Sequence, residues 1–250
     1  KIRSLFIPEE GCKWGCFDYS QQEPRLVVHY ASLYKLPSVY EVVDAYKADS
    51  NSDFHKTVAE MAQIPRIQAK TINLGLFYGM GKAKLQAELG VTKEKSAELF
   101  NQYHAKVPFV KQLMEKASNR AQERGQIRTL LGRLCRFHLW EPSSFGMHKA
   151  LPHEEALREH GPGIKRAYTY KSLNKLIQGS AADMTKKSML DLYKEGIIPH
   201  IQIHDELDLS LKDDNEAKKI IEIMENAVTL EVPNKVDYEQ GKNWGDIYDK

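Results

Sequence analysis

The sequence predicts an α+β fold in which antiparallel strands near both ends of the chain flank a mostly helical middle. Three observations carry this. Two pairs of short runs face each other across tight bends: Gln126–Leu131 with Leu134–His138 around Gly132-Arg133, and His200–Ile203 with Leu207–Leu211 around His204-Asp205-Glu206. Between residues 54 and 124 the apolar residues fall at helical rather than alternating spacing. From Lys165 to Glu195 there is no Pro, and Leu173, Leu176, Ile177, Met184 and Leu192 mark one long helix with Gly179 inside it.

Taken in order, Cys12, Trp14, Cys16 and Asp18 share one parity of a short strand, so Asp18 stands where a strand ends. Glu23–Tyr34 turns helical, with Leu26, Val27 and Tyr30 at i, i+1 and i+4. Phe54–Ile64 is a second helix, and Pro65 suits the first turn of a third from Arg66 to about Tyr78. Lys82–Leu89 and Lys93–Arg124 follow, interrupted by Gly90-Val-Thr and by Pro108. Leu139–Gly163, with Pro-Ser-Ser and Gly-Pro-Gly, is expected to be an insertion or loop, and Asp213–Thr229 a last amphipathic helix.

The 250 residues are 42% apolar and 28% charged, with 15 Gly and 10 Pro, which excludes disorder, collagen and small disulfide scaffolds. Apolar runs such as Leu74–Tyr78 fall far short of the roughly 20 residues of a membrane helix, and the start lacks signal-peptide architecture. A cytoplasmic location, the host's if the chain is viral, is therefore expected, an organellar one being the alternative. The missing initiator Met suggests a processed product or a piece of something longer. Cys12, Cys16 and Cys135 have no zinc-like spacing and are expected to be reduced thiols. The net charge of +2 is an average: Met61–Phe137 holds 14 Lys and Arg against five Glu and no Asp, a net +9, leaving −7 elsewhere. Such a split suits a polyanion at the middle and a cation at the flanks, or simply two solvated faces that differ.

Three constellations could carry chemistry. Asp18, Asp205 and Glu206 lie at strand ends and could clamp hard cations, although an Asp-Glu bend alone is as readily a solvated turn. Arg66, Lys70, Leu74 and Tyr78, four residues apart, drift only about 40° per step and form one stripe, cationic then apolar, fit for a triphosphate and its base or sugar. An amphipathic helix with snorkelling cations would look the same. Asn174 and Gln178 could read minor-groove acceptors. His148, His153 and His160 lack metal-site spacing and are assigned to surface.

In this order the segments resemble the polymerase module of the family A DNA polymerases. Asp18-Tyr-Ser-Gln-Gln-Glu-Pro-Arg25 is similar to the first palm motif, Arg66-x3-Lys70-Thr-Ile-Asn-Leu-Gly-Leu-Phe-Tyr78-Gly to the fingers helix, Gln178-Gly-Ser-Ala-Ala-Asp183 to the next palm helix, and His204-Asp205-Glu206 to the last palm motif. The resemblance implies an antiparallel palm sheet with packed helices (1–33 and 166–250) and a mostly helical fingers region (34–165). It implies that Asp18 and Asp205 ligate two Mg²⁺ ions, with Glu206 a supporting carboxylate. It further implies that Arg66 and Lys70 grip the incoming triphosphate, that Lys70 protonates the leaving pyrophosphate, and that His55 adds a phosphate contact. Leu74 then lies under the sugar, Tyr78 near the templating base, and Glu23 where a ribose 2′-hydroxyl would sit. Arg25, Asn174, Gln178 and His204 contact primer-template DNA.

This sequence departs from the family pattern in five places. Leu74 stands where Phe or Tyr is usual, and Tyr170 where many relatives have Arg. The His55 to Lys70 spacing is of phage type, and 139–163 is longer than usual. Only 17 residues precede Asp18, so the thumb and exonuclease are expected on an upstream domain or polypeptide. Template-directed DNA synthesis is thus the expected function, with primer-template DNA and deoxynucleoside triphosphates as partners and no membrane. A single-subunit RNA polymerase, against which Glu23 argues, and a palm and fingers scaffold inactive without its upstream part are the alternatives.

Overall fold

The computed structural model describes residues 2–78, 82–144, 146 and 148–248. Along the chain run β1 (Lys13–Tyr19), α1 (Gln22–Leu33), α2 (Val39–Ala48), α3 (Phe54–Ala62), α4 (Arg66–Phe77), α5 (Lys82–Leu89), α6 (Lys93–Lys106) and α7 (Pro108–Arg124). Next come β2 (Gln126–Arg128), β3 (Leu134–Arg136), β4 (Leu139–Pro142), β5 (Leu151–Pro152), α8 (His153–His160), β6 (Ile164–Arg166) and α9 (Ser172–Lys194). The last are β7 (Ile201–Ile203), β8 (Glu206–Leu211), α10 (Asp214–Asn226), β9 (Val236–Gly241) and α11 (Trp244–Tyr248). Helices mixed with antiparallel strands make the fold α+β, as predicted. The chain divides into two compact units, Lys1–His29 with Val43–Asp53 and Ala181–Lys250, and Tyr30–Val42 with Phe54–Ser180.

The first unit is built on an antiparallel sheet of order β7-β8-β1-β9. Its register sets Asp18 opposite Glu206 on one neighbour and Asp237 on the other, and Cys16 opposite Asp208. Side chains alternate across a strand, so Phe17, Tyr19, Leu207, Leu209 and Leu211 line one face while Cys16, Asp18, Glu206 and Asp208 line the other. On the apolar face Phe17 stacks on Tyr238 at 4.9 Å, and the Tyr19 hydroxyl meets Ser188 of α9 at 2.6 Å. Gly15 is required there, because a Cβ would lie 2.3 Å from the Leu211 side chain. Asp213 caps α10 by accepting from the backbone of Asn215 and Glu216, and the helix buries Ala217, Ile220 and Met224. On the opposite face Trp14, Cys16 and Ile247 pack together with Ile201 and Trp244, while Asp18 and Asp205 remain partly exposed.

The second unit gathers the buried Phe54, Val58, Ile72, Leu76, Phe77, Tyr103, Phe109 and Leu113 from α3, α4, α6 and α7. Phe54 lies 6.1 Å from Phe77 and 6.5 Å from Phe109, ring to ring. One polar group crosses this core: Asn73 bonds to His55 Nδ1 at 3.1 Å and accepts from the Tyr103 hydroxyl. Gly125 ends α7 at φ +66°, and a Cβ there would meet the Arg166 guanidinium at 2.7 Å. That guanidinium donates to the carbonyls of Gln122 and Phe137 and lies 4.5 Å over the Trp140 ring. Arg166 thereby ties α7 to the strands that follow. Of the stretch 139–163, expected as an insertion or loop, much is regular structure: β5-β4-β6 form a small antiparallel sheet with α8 beside it. Its short strands are separated by Pro- and Gly-rich turns, which hide strand periodicity in the sequence.

Candidate active site

The carboxylates of the first unit converge because β1 and β8 are paired neighbours. Asp18 is the penultimate residue of β1, and Asp205 sits in the turn that opens β8, its carbonyl accepting from the Tyr19 backbone at 3.4 Å. His204 at the head of this turn has φ +52°, a left-handed conformation rare for a side chain of its size, so the hairpin is held tight there. Burial and then the Asp205 charge push the Asp18 carboxyl up to about 7. Asp205 is also raised, mainly by burial. Glu206 is raised by burial and then by Asp208, and one of its oxygens accepts from the Tyr248 hydroxyl. An arrangement that crowds several carboxylates into a partly dry strand end is ready for a cation.

The sign of that crowding is testable. With divalent cations chelated, folded Asp18 titrates near 7 against an ordinary 3.8, so between these values the folded chain holds the extra proton. Stability therefore falls as pH rises through that window. Asp18→Asn abolishes the loss and is expected to unfold a few degrees higher than wild type at pH 8 in EDTA. That corresponds to about 1–2 kcal/mol, since solvent still reaching the carboxyl screens the rest. The advantage should vanish at pH 4, and equal melting temperatures at pH 8 would contradict the crowding.

In the second unit Arg66 and Lys70 point to solvent from one side of α4, with Leu74 half-buried and Tyr78 exposed at the helix end, while Ala69, Ile72, Asn73 and Leu76 are buried on the other. The basic stripe thus runs along the open face of the helix. On α9, Asn174 is half-buried and Gln178 exposed. Gly179 beside them has the Thr129 methyl 2.7 Å from where its Cβ would be, and the Arg133 guanidinium donates to its carbonyl at 2.6 Å, so the β2–β3 hairpin lies directly on this helix. His204 is exposed and Glu23 half-buried.

Two expected contacts are corrected. Arg25, expected on DNA, is 1% exposed, and its guanidinium donates to the carbonyls of Ser20, Pro233 and Ser50 at 2.6–2.7 Å while lying 4.5 Å over the Tyr46 ring. It braces the turn that follows Asp18. His55, expected on phosphate, is buried, with Nδ1 against Asn73 and its ring edge-on to Phe54. It belongs to the helical core.

Residues 1–246 match the family described as DNA polymerase family A. The chain belongs to that family. A phage relative, the DNA-directed DNA polymerase of Pseudomonas phage M6, is 36% identical over 97% of this chain and 40% of its own length. DNA polymerase I of Geobacillus stearothermophilus is 33% identical over 98% of this chain and 27% of its own. Among solved structures, the POL domain of Pol1 from M. smegmatis in complex with DNA primer-template and dNTP superposes with a TM-score of 0.76 at 26% identity, covering 97% of this chain and 42% of that one. This family A chain therefore spans well under half the length of these relatives.

The sequence reading missed two acidic members of the sheet. Asp237 pairs across from Asp18 and forms an ion pair with Lys235 at 3.2 Å. Asp208 stands opposite Cys16. Both sit in alternating runs, Val236-Asp-Tyr-Glu and Glu206-Leu-Asp-Leu, and only the register shows that they share the face of Asp18.

Proposed function

We propose that the chain is the palm (1–33 and 166–250) and fingers (34–165) core of a DNA-directed DNA polymerase, acting in the cytoplasm on primer-template DNA and deoxynucleoside triphosphates. The observation that carries this reading is the meeting of Asp18 and Asp205 at paired strand ends, in a chain of family A. The donor set there is carboxylate oxygen throughout, which suits hard Mg²⁺, and the burial and carboxylate repulsion that raise Asp18 are what a bound cation would offset. Asp18 and Asp205 would hold two Mg²⁺ ions, and the chemistry such ions would supply is activation of the primer 3′-hydroxyl and neutralisation of charge on the triphosphate and pyrophosphate. Glu206 supports Asp18 and Asp205. Arg66 and Lys70 grip the triphosphate, and Lys70 protonates the pyrophosphate as it leaves. Tyr78 lies near the templating base, and Glu23 fills the space of a ribose 2′-hydroxyl. Asn174, Gln178 and His204 touch the primer-template, and a thumb on an upstream domain or polypeptide would hold the duplex.

The experiment that tests this reading compares incorporation of one correct deoxynucleotide with its ribonucleotide counterpart on a primed template. Preference for the deoxynucleotide is expected, and preference for the ribonucleotide overturns the reading in favour of an RNA polymerase. Because Leu74 offers the sugar only a small apolar surface, Leu74→Tyr is expected to raise acceptance of dideoxynucleotides relative to deoxynucleotides by about 10-fold or more. An unchanged ratio in competition assays would show that Leu74 does not touch the sugar.

A further inference from the structure

Behind the Asp18 end of the sheet, Cys16, Glu206 and Asp208 form a second cluster of a different chemical kind. All three are buried, and one ligand-capable atom from each lies within 4.8 Å of those of the other two. Cys16 and Asp208 are directly paired across β1 and β8, and Glu206 is the next residue on the same face of β8. Asp208 is 0% exposed, and neither of its carboxylate oxygens has a hydrogen-bond partner among the described residues. A buried carboxylate is costly, and the groups set against Asp208 are the Cys16 thiol and the Glu206 carboxyl rather than cations. A divalent cation that accepts both oxygen and sulfur would neutralise all three at once.

We infer that Cys16, Glu206 and Asp208 form a site for a thiophilic divalent cation of the Zn²⁺ type, adjoining the Asp18–Asp205 carboxylates and sharing Glu206 with them. One soft and two hard ligands favour a borderline ion over Mg²⁺, which has little use for sulfur. Bond lengths of about 2.0–2.3 Å in a tetrahedron set ligand atoms about 3.5 Å apart, so the three side chains need to draw in by no more than about an ångström, with water as the fourth ligand. The Tyr248 hydroxyl, donating to one Glu206 oxygen, orients that carboxylate as outer partners of metal ligands do. The ion cross-links β1 to β8, the two strands whose ends carry Asp18 and Asp205. The site's three residues need no nucleotide or DNA to bind the ion, and Glu206 is the one side chain it shares with the proposed polymerase centre.

The test uses Co²⁺ as a spectroscopic substitute, added to the whole chain during refolding so that burial does not bar entry. A thiolate-to-cobalt charge-transfer band in the near ultraviolet that saturates at one equivalent is expected for wild type and for Cys12→Ser, Cys135→Ser and the double variant Asp18→Asn/Asp205→Asn. Cys16→Ser and Asp208→Asn are expected to lose the band, and the several-degree rise in unfolding temperature that Zn²⁺ gives wild type should disappear in both. Should one of these two fail to fold, the other decides. No band in wild type, or a band that survives Cys16→Ser, overturns the site.

Discussion

Asp205→Asn is expected to leave a folded chain whose primer extension falls by about 10³-fold or more. The magnitude follows from what metal-held charge supplies in phosphoryl transfer, several kcal/mol of transition-state stabilisation. The change preserves shape and hydrogen-bonding capacity while removing the charge, and at this strand end the charge is a burden to the fold: burial raises the carboxyl, and Asp205 itself raises Asp18. The variant should therefore unfold no earlier than wild type in EDTA at pH 8. Loss of extension together with unchanged or raised stability is the signature of a functional carboxylate. Extension within a few-fold of wild type would remove Asp205 from the chemistry.

The second large effect concerns Arg25 and runs the other way. Arg25→Ala leaves three carbonyls, those of Ser20, Ser50 and Pro233, without their charged donor in a place where the arginine is 1% exposed. Bonds to a charged group contribute about 1.5–3 kcal/mol each, and stranded buried acceptors add to the loss, so destabilisation by about 3–5 kcal/mol is expected in denaturant titration. Arg25→Lys should restore little, because a single ammonium cannot span three carbonyls and lie flat on Tyr46. If Arg25→Ala costs less than about 1 kcal/mol while weakening DNA binding, the brace is wrong and the expected DNA contact right.

These two residues also show where the sequence was informative and where it was not. The strand leading to Asp18 and the hairpin at Asp205 were legible because β1 and β8 alternate and a tight turn separates β7 from β8. The stripe on α4 was legible from its four-residue spacing alone. Arg25 was not, because a motif specifies which residues recur and not which way a long side chain turns; here it turns inward, towards carbonyls 25 and 208 residues away. The acid face was half legible for a similar reason. Cys16 and Asp208 meet through strand register across 192 residues, which no local pattern encodes. Helix α2 carried a usable signal, Val39, Val42, Val43 and Tyr46 at helical spacing, all buried, but it is short and follows Pro37 and Ser38. Strand β9 is a charged edge whose alternation is confined to Val236-Asp-Tyr-Glu, too short a run to mark a strand by itself.

The central claim, that Asp18 and Asp205 serve template-directed DNA synthesis, is tested most directly by extending a labelled primer on a template of known sequence. Wild type and Asp205→Asn would be assayed side by side with Mg²⁺ and all four deoxynucleotides, with and without any upstream polypeptide. Expected is stepwise elongation whose order follows the template, which stops on chelation and is absent from the variant. Wild type that fails to extend the primer in every condition, while remaining folded, would contradict the claim.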